Sequence, residues 1–295
     1  SHRSKSRRSW VDPRRARGGI IGAGVAAACV GVGSADHAEG HGRFEEARGA
    51  IVLDSGPHGL HGTLNDRPSR ATDVPVDVVP QNDLANDHSL DLGWLDTSSG
   101  GQFTVEDPTG QLTFGHRSFT IEAWVRLDTL AEGQSSDDRK YLVLKKTDGE
   151  GDGFTGYGFL VQAGAVGLAQ NRFGNTEDLT GHELALAFGN PEATTDVMFF
   201  LISHLEITDG QWHYVAVAFD PESDQARFHL DDQVDVIDYE DPRPLAPAHF
   251  HNQAPLTLGA HRTAQGGVTT LDGAIDELRI SRGLVPEQQL LAGSQ

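Results

Sequence analysis

Apolar residues recur along this chain in short runs with a period of two. The cleanest run is Phe119–Leu127, in which Phe119, Ile121, Ala123, Val125 and Leu127 fall on one face of a strand. Thr120, Glu122, Trp124 and Arg126 fall on the other. A second run is launched by the turn pair Asp209-Gly210 and stopped by Asp220-Pro221. There Trp212, Tyr214, Ala216 and Ala218 share one face, and His213, Val215, Val217 and Phe219 the other. Both faces are largely apolar, which predicts a strand covered on both sides at the centre of a sheet sandwich.

Shorter runs of the same kind are expected at residues 50–53, 76–79, 89–92, 100–105, 141–145, 156–162, 166–171, 183–188, 197–203, 226–230, 256–259 and 274–280. Dense turn chemistry at residues 54–62 and proline-punctuated polar sequence at 65–89 separate the early ones. Residues 286–290 predict at most a single helical turn. Strands of this length, spaced by turn signals and without a long helical period, predict an all-β, two-sheet antiparallel sandwich. The 35 glycines in 295 residues agree, and that length suits one large β domain with a tail.

Charge divides the chain. Residues 1–17 hold seven Lys/Arg against Asp12 alone, so a formal charge of −20 leaves about −26 for the remainder. Such a body repels phosphate backbones, which excludes nucleic acid as an expected partner. The basic stretch and the uncharged Gly, Ala, Ile and Val run that follows it to Gly33 read as an export signal over residues 1–35. That run is too short to predict a transmembrane span in the mature chain. The expected location is therefore secreted or cell-surface. Cys29, the only cysteine, lies inside that segment, where lipidation is an alternative to a passive role. Residues 36–48 are polar and aperiodic and read as a linker, with His37 and His41 solvated. The folded domain is expected over residues 49–295.

Five segments together resemble the laminin G-like domains of the concanavalin A-like lectin/glucanase superfamily. They are Asp54-Ser55-Gly56 with His61-Gly62-Thr63-Leu64; Phe119 to Val125; Asp209 to Val215; Leu256-Thr257-Leu258-Gly259; and Leu271 to Ile280. They stand in the family's order over residues 49–290. The resemblance implies a jelly-roll sandwich, a secreted or surface binding module, often for carbohydrate, and often a calcium ion. The long connections at residues 65–88 and 172–183 depart from the family pattern.

Two site expectations follow. If Leu278 and Ile280 face the core, Asp276 points inward with them, and a buried carboxylate needs a cation or N–H donors. A structural calcium held by Asp54, Asp276 and backbone carbonyls near His58 is one reading. A turn cap at Asp54, with backbone donors on Asp276, is the other. The run from Asp148 to Gly153 imitates an EF-hand loop, but Phe159 stands where its bidentate Glu belongs. For a sugar, Trp94, Phe173 and Tyr157 are the candidate aromatic platforms, while Trp124 and Trp212 are expected to pack inside the sandwich.

Catalytic signatures are weak. The Glu-x-Asp-x-x-Glu strand of sandwich glucanases is missing, and Asp235, Asp238 and Glu240 imitate it without the first Glu. The resulting expectation is an exported, non-catalytic, carbohydrate-binding module whose partner is a glycan, such as one on a cell surface. A structural or adhesion module with a protein partner, or a hydrolase or lyase of the same superfamily, stands as the alternative.

Overall fold

A computed structural model describes residues 38–46, 49–65, 69–80, 83–93, 102–128, 139–147, 155–161, 172–174, 179–189, 198–208, 210–241, 244–262 and 268–293. All of them belong to the larger of two units of the chain, Val32–Gln295. The expected export segment, the EF-hand-like loop, the strand at 166–171 and Trp94 lie outside the described residues. No described helix is long and apolar enough to cross a membrane.

In chain order the strands are β1 (Ala38–Gly42), β2 (Ile51–Val52), β3 (Gly62–Asn65), β4 (Ser69–Ala71), β5 (Val78–Val79), β6 (Leu84–Ala85) and β7 (Ser89–Asp91). Next come β8 (Gln102–Val105), β9 (Phe119–Leu127), β10 (Lys140–Lys146), β11 (Gly156–Val161), β12 (Arg172–Gly174), β13 (Glu183–Gly189) and β14 (Met198–Glu206). The last are β15 (Trp212–Asp220), β16 (Gln225–Leu230), β17 (Gln233–Asp238), β18 (Leu256–Leu258), β19 (Ala260–Arg262), β20 (Val268–Thr270) and β21 (Gly273–Arg282). Single 3₁₀ turns occur at Pro247–His249 and Glu287–Gln289.

One sheet runs β17-β16-β15-β9-β21-β7-β4, with β1 also on β21, and the other runs β12-β14-β13-β11-β10-β18-β8-β3-β2. Described pairings are antiparallel except β12 with β14. This is the expected all-β jelly-roll sandwich. The inward residues of β9 and β15 meet Phe159, Leu186, Phe188 and Leu201 of the facing sheet in one core. Phe119 anchors it, stacked on Phe114 at 4.6 Å and tilted against Phe219 at 5.8 Å.

The sandwich is buried on its outside too. Trp124, Tyr214 and Ala216, on the outer face of β9 and β15, pack against Leu290 and Leu291 of the chain's end. This corrects the expectation that Trp124 and Trp212 lie between the sheets. Alternation places both opposite the inward valines, and Trp212 donates its indole N–H to Asp73 on the outer surface. The two-sided apolar character of β15 therefore reflects a core on one face and the folded-back C-terminal segment on the other.

Glu122 is fully buried on this outer face. Its carboxylate accepts bonds from the Arg279 guanidinium at 2.8 and 2.5 Å, the Tyr214 hydroxyl at 2.8 Å and the Leu291 amide at 2.6 Å. It ties β9, β15, β21 and the chain end together.

The expected linker contains a strand. β1 pairs with β21, Phe44 is fully buried, and Glu39, His41 and Arg43 bond to Arg282 and Glu277 of β21. His41 is thus a bonded residue, with Nε2 2.6 Å from Glu277. A five-residue strand docked through its polar side chains leaves no apolar alternation to read.

Removing one partner of a buried ion pair strands the other, at a cost of about 3 kcal/mol. Glu122→Gln should lower unfolding free energy by about that amount in urea titration. A change below about 0.5 kcal/mol, the size typical of surface substitutions, would contradict the role given to Glu122.

Candidate functional site

At one end of the sandwich, the β8–β9 connection, the segment before β18 and Arg282 at the end of β21 enclose a polar pocket. Its volume is about 450 Å³, and its twelve lining residues include Thr109, Thr113, Phe114, His116, Arg117, His251, Gln253 and Arg282.

The sequence builds this pocket from a turn. Asp107-Pro108-Thr109-Gly110 supplies a carboxylate, a fixed φ and a glycine with φ of 72°. The Asp107 carboxylate accepts the amides of Gln111 and Leu112 at 2.7 and 3.0 Å. Behind it lies Lys145, on the same inward face of β10 as Val143. Both side chains are fully buried, with Lys145 Nζ 3.2 Å from Asp107 Oδ2. Burial lowers the Lys145 pKa, and the Asp107 carboxylate acts against that shift. Lys145 also donates to the Ala254 carbonyl at 2.6 Å, so the pair fixes both walls of the pocket.

Asn252 completes the frame. Its amide donates to the carbonyls of Lys145 and Thr155, each at 2.9 Å, and its side-chain oxygen accepts the Ala254 amide at 3.0 Å. Thr113 donates its hydroxyl to the Asn252 carbonyl at 2.8 Å. Gly156 makes this possible: a Cβ there would sit 1.9 Å from the Lys145 carbonyl oxygen and 2.3 Å from the Asn252 amide. Phe114 forms an apolar wall, with the Arg282 guanidinium 5.6 Å from its ring centre. His116, Arg117, His251 and Gln253 form an exposed rim.

The sequence-expected aromatic platforms lie elsewhere. Tyr157 is fully buried in the core. Its hydroxyl donates to the Leu112 carbonyl at 2.9 Å, and burial with the nearby Asp107 charge holds its pKa well above the usual range. It supports the pocket from beneath. Phe173 packs inward, its ring 4.9 Å from Tyr239 and 6.3 Å from Phe199. Phe173 has polar sequence neighbours, which do not report the direction in which a strand residue points.

Asp54 and Asp276 do not form the expected pair. Asp54 Oδ1 accepts the amides of His41 and Gly56 at 2.8 and 2.7 Å, and Oδ2 accepts that of Leu60 at 2.8 Å. It is a cap that docks β1 on the 54–62 turn. Asp276 accepts from the Asn86 side chain at 2.8 Å and the Glu277 amide at 2.9 Å. It lies opposite Trp124, on the outer face, because a bulge between Asp276 and Arg279 shifts the alternation by one residue. Glu277, with φ of 48°, occupies the bulge, so Ile275 and Leu278 both point inward.

No group of three or more His, Cys, Asp or Glu among the described residues is arranged to hold a metal ion. Three N–H donors face the Asp54 oxygens, and burial pushes the Asp276 carboxyl up to about 8, with Glu277 and Glu45 acting in the same direction. N–H donors meet both carboxylates, which is the turn-cap alternative to a cation. The remaining acids of interest are also engaged: Asp235 bonds His204 and Asp238 bonds Gln225, on the edge strand β17.

A family model described as the concanavalin A-like lectin/glucanases superfamily matches residues 97–290. No curated protein matches the chain. Among solved structures, the binding domain of Paraclostridial Mosquitocidal Protein 1 aligns at 11% identity and TM-score 0.52, over 86% of this chain and 51% of that one. A botulinum neurotoxin type C structure, whose cell entry depends on interaction with two ganglioside molecules, aligns at 10% identity and TM-score 0.52, over 85% and 49%. A Trypanosoma rangeli sialidase mutant displaying trans-sialidase activity aligns at 13% identity and TM-score 0.48, over 92% and 36%. The chain spans about half the length of the first two.

Asp276 has a pH signature. Its carboxyl ionises near 3.8 in an unfolded chain and near 8 here. Its contribution to stability is therefore complete below about pH 4 and is lost as pH rises toward 8. Asp276→Asn, which cannot ionise, should gain melting temperature over the parent as pH rises from about 4 to 8. A difference independent of pH would contradict the buried, neutral Asp276.

Proposed function

Because the chain belongs to the concanavalin A-like lectin/glucanase superfamily, we propose that its jelly roll is a non-catalytic module that binds carbohydrate in the polar loop pocket. The observation that carries this reading is the pocket itself. A sugar presents hydroxyls around its edge and a weakly apolar face. The pocket offers amide, imidazole, guanidinium and hydroxyl groups around a floor closed by the buried Phe114. Its volume lies in the range of small-ligand sites. Its frame is held by bonds already satisfied within the protein, so little ordering cost falls on binding. The dependence of botulinum neurotoxin type C cell entry on two ganglioside molecules, in a structurally similar chain, supports the same class of ligand.

The reading includes export through residues 1–35 and a glycan encountered outside the cytoplasm, such as one on a cell surface. It does not include calcium, since the Asp54 and Asp276 oxygens serve N–H donors.

The full chain, applied to a glycan array, should capture a defined set of glycans equally with and without EDTA. Gln253→Ala and His251→Ala should each weaken that capture about tenfold, the effect of one lost hydrogen bond to a ligand, without changing the melting temperature. Capture of no glycan, or of the same glycans at unchanged affinity by both variants, would overturn the proposal. A protein partner recovered in place of any glycan would point to an adhesion module.

A further inference from the structure

We infer that the sugar held in the loop pocket is an acidic one, recognised through its negative charge by the Arg117 guanidinium, with the His116 and His251 imidazoles on the same rim. This rests on the carbohydrate reading above and names the class of sugar.

The chain has 43 acidic residues among 295, about one in seven, so twelve lining positions would carry about two by composition alone. The pocket has none, and four of its twelve lining residues are Arg or His. In a chain of net charge −20, this is a local reversal of sign. An acidic surface repels anions at long range, so a cationic recess within it selects ligands that can reach and fill it.

Three carboxylates around the pocket's frame accept bonds within the protein, while Glu106, beside Asp107, is exposed and does not line the recess. Asp107, behind it, is paired with Lys145. Glu39, beyond Arg282, accepts from that guanidinium at 2.8 Å and lies 2.9 Å from His58. Asp220, below the loop, accepts the hydroxyls of Ser118 and Ser223 and the amide of Glu222. Arg282 spends its donors on Glu39 and the Gln111 carbonyl and is a wall of the site. By contrast, Arg117 makes no ion pair among the described residues and stands exposed at the bend before Ser118. Its planar fork matches a carboxylate or a sulfate with two parallel N–H bonds. His116 and His251 line the same pocket. Arg117 thus brings a guanidinium without an ion pair among the described residues to a recess lined by no acid.

The test compares three sugars of one ring type: glucose, glucuronate and glucose 6-sulfate, titrated into the full chain by calorimetry at low salt. Glucuronate should bind at least tenfold more tightly than glucose, with an advantage that shrinks as salt is raised. Arg117→Gln and His251→Gln, both exposed positions, should each narrow that advantage. Their melting temperatures report whether the fold is intact. If glucose 6-sulfate binds like glucuronate, the rim reads charge; if it binds like glucose, the rim reads a carboxylate; either upholds the inference. Glucose binding as tightly as both acidic sugars would overturn it while leaving the carbohydrate reading standing. Acetate and inorganic sulfate binding where no sugar does would overturn the carbohydrate reading. No binding by any of these probes would overturn both.

Discussion

The buried pair between Lys145 and Asp107 is the constraint on which the functional end of this molecule depends. Removing two charges from water costs several kcal/mol each, and their attraction offsets this only where the remaining donors and acceptors are also met. Here they are met by the pocket's own walls: the Gln111 and Leu112 amides on Asp107, and the Ala254 carbonyl on Lys145. The electrostatic requirement of one ion pair therefore dictates the backbone path of two loops. Such a pair is poor as a source of stability and effective as a source of position. Gly156 and Asn252 belong to the same arrangement, since the amide of one approaches a backbone where the other leaves no side chain.

The opposite logic governs the eight-stranded sheet. Glu122 is a charge placed where three strands and the chain end converge, and its four bonds close the outer layer over Trp124 and Tyr214. One face of β9 and β15 makes the inter-sheet core, and the other buries the returning C-terminal segment. The pocket end is left to polar loops, so the proposed site and the outer packing layer occupy different parts of the molecule.

The fold was legible because its strands alternate with a period of two, as in Phe119–Leu127, and because turn residues bracket them. The site was less so. β1 carries no apolar alternation and docks by Glu39, His41 and Arg43, so it reads as a tail. The bulge at Glu277 inverts the parity of Asp276, and no period-two argument can see one inserted residue. Phe173 sits in a polar sequence context and Tyr157 between two glycines, but both point inward. What the sequence does contain is the Asp-Pro-Thr-Gly turn at residues 107–110 and a lysine at the end of the apolar run 141–144. A buried-side lysine needs a carboxylate, and a turn aspartate supplies one, but their meeting across 38 positions belongs to the tertiary fold.

The central claim is that the polar loop pocket is where a glycan binds. Backbone and side-chain NMR shifts, followed as an array-selected glycan is titrated into the full chain, test it most directly. The account predicts saturable shifts centred on His116, Arg117, His251 and Gln253, with Glu122 and the outer face of β15 unmoved. Shifts centred on other residues, with the loop pocket silent, would contradict it.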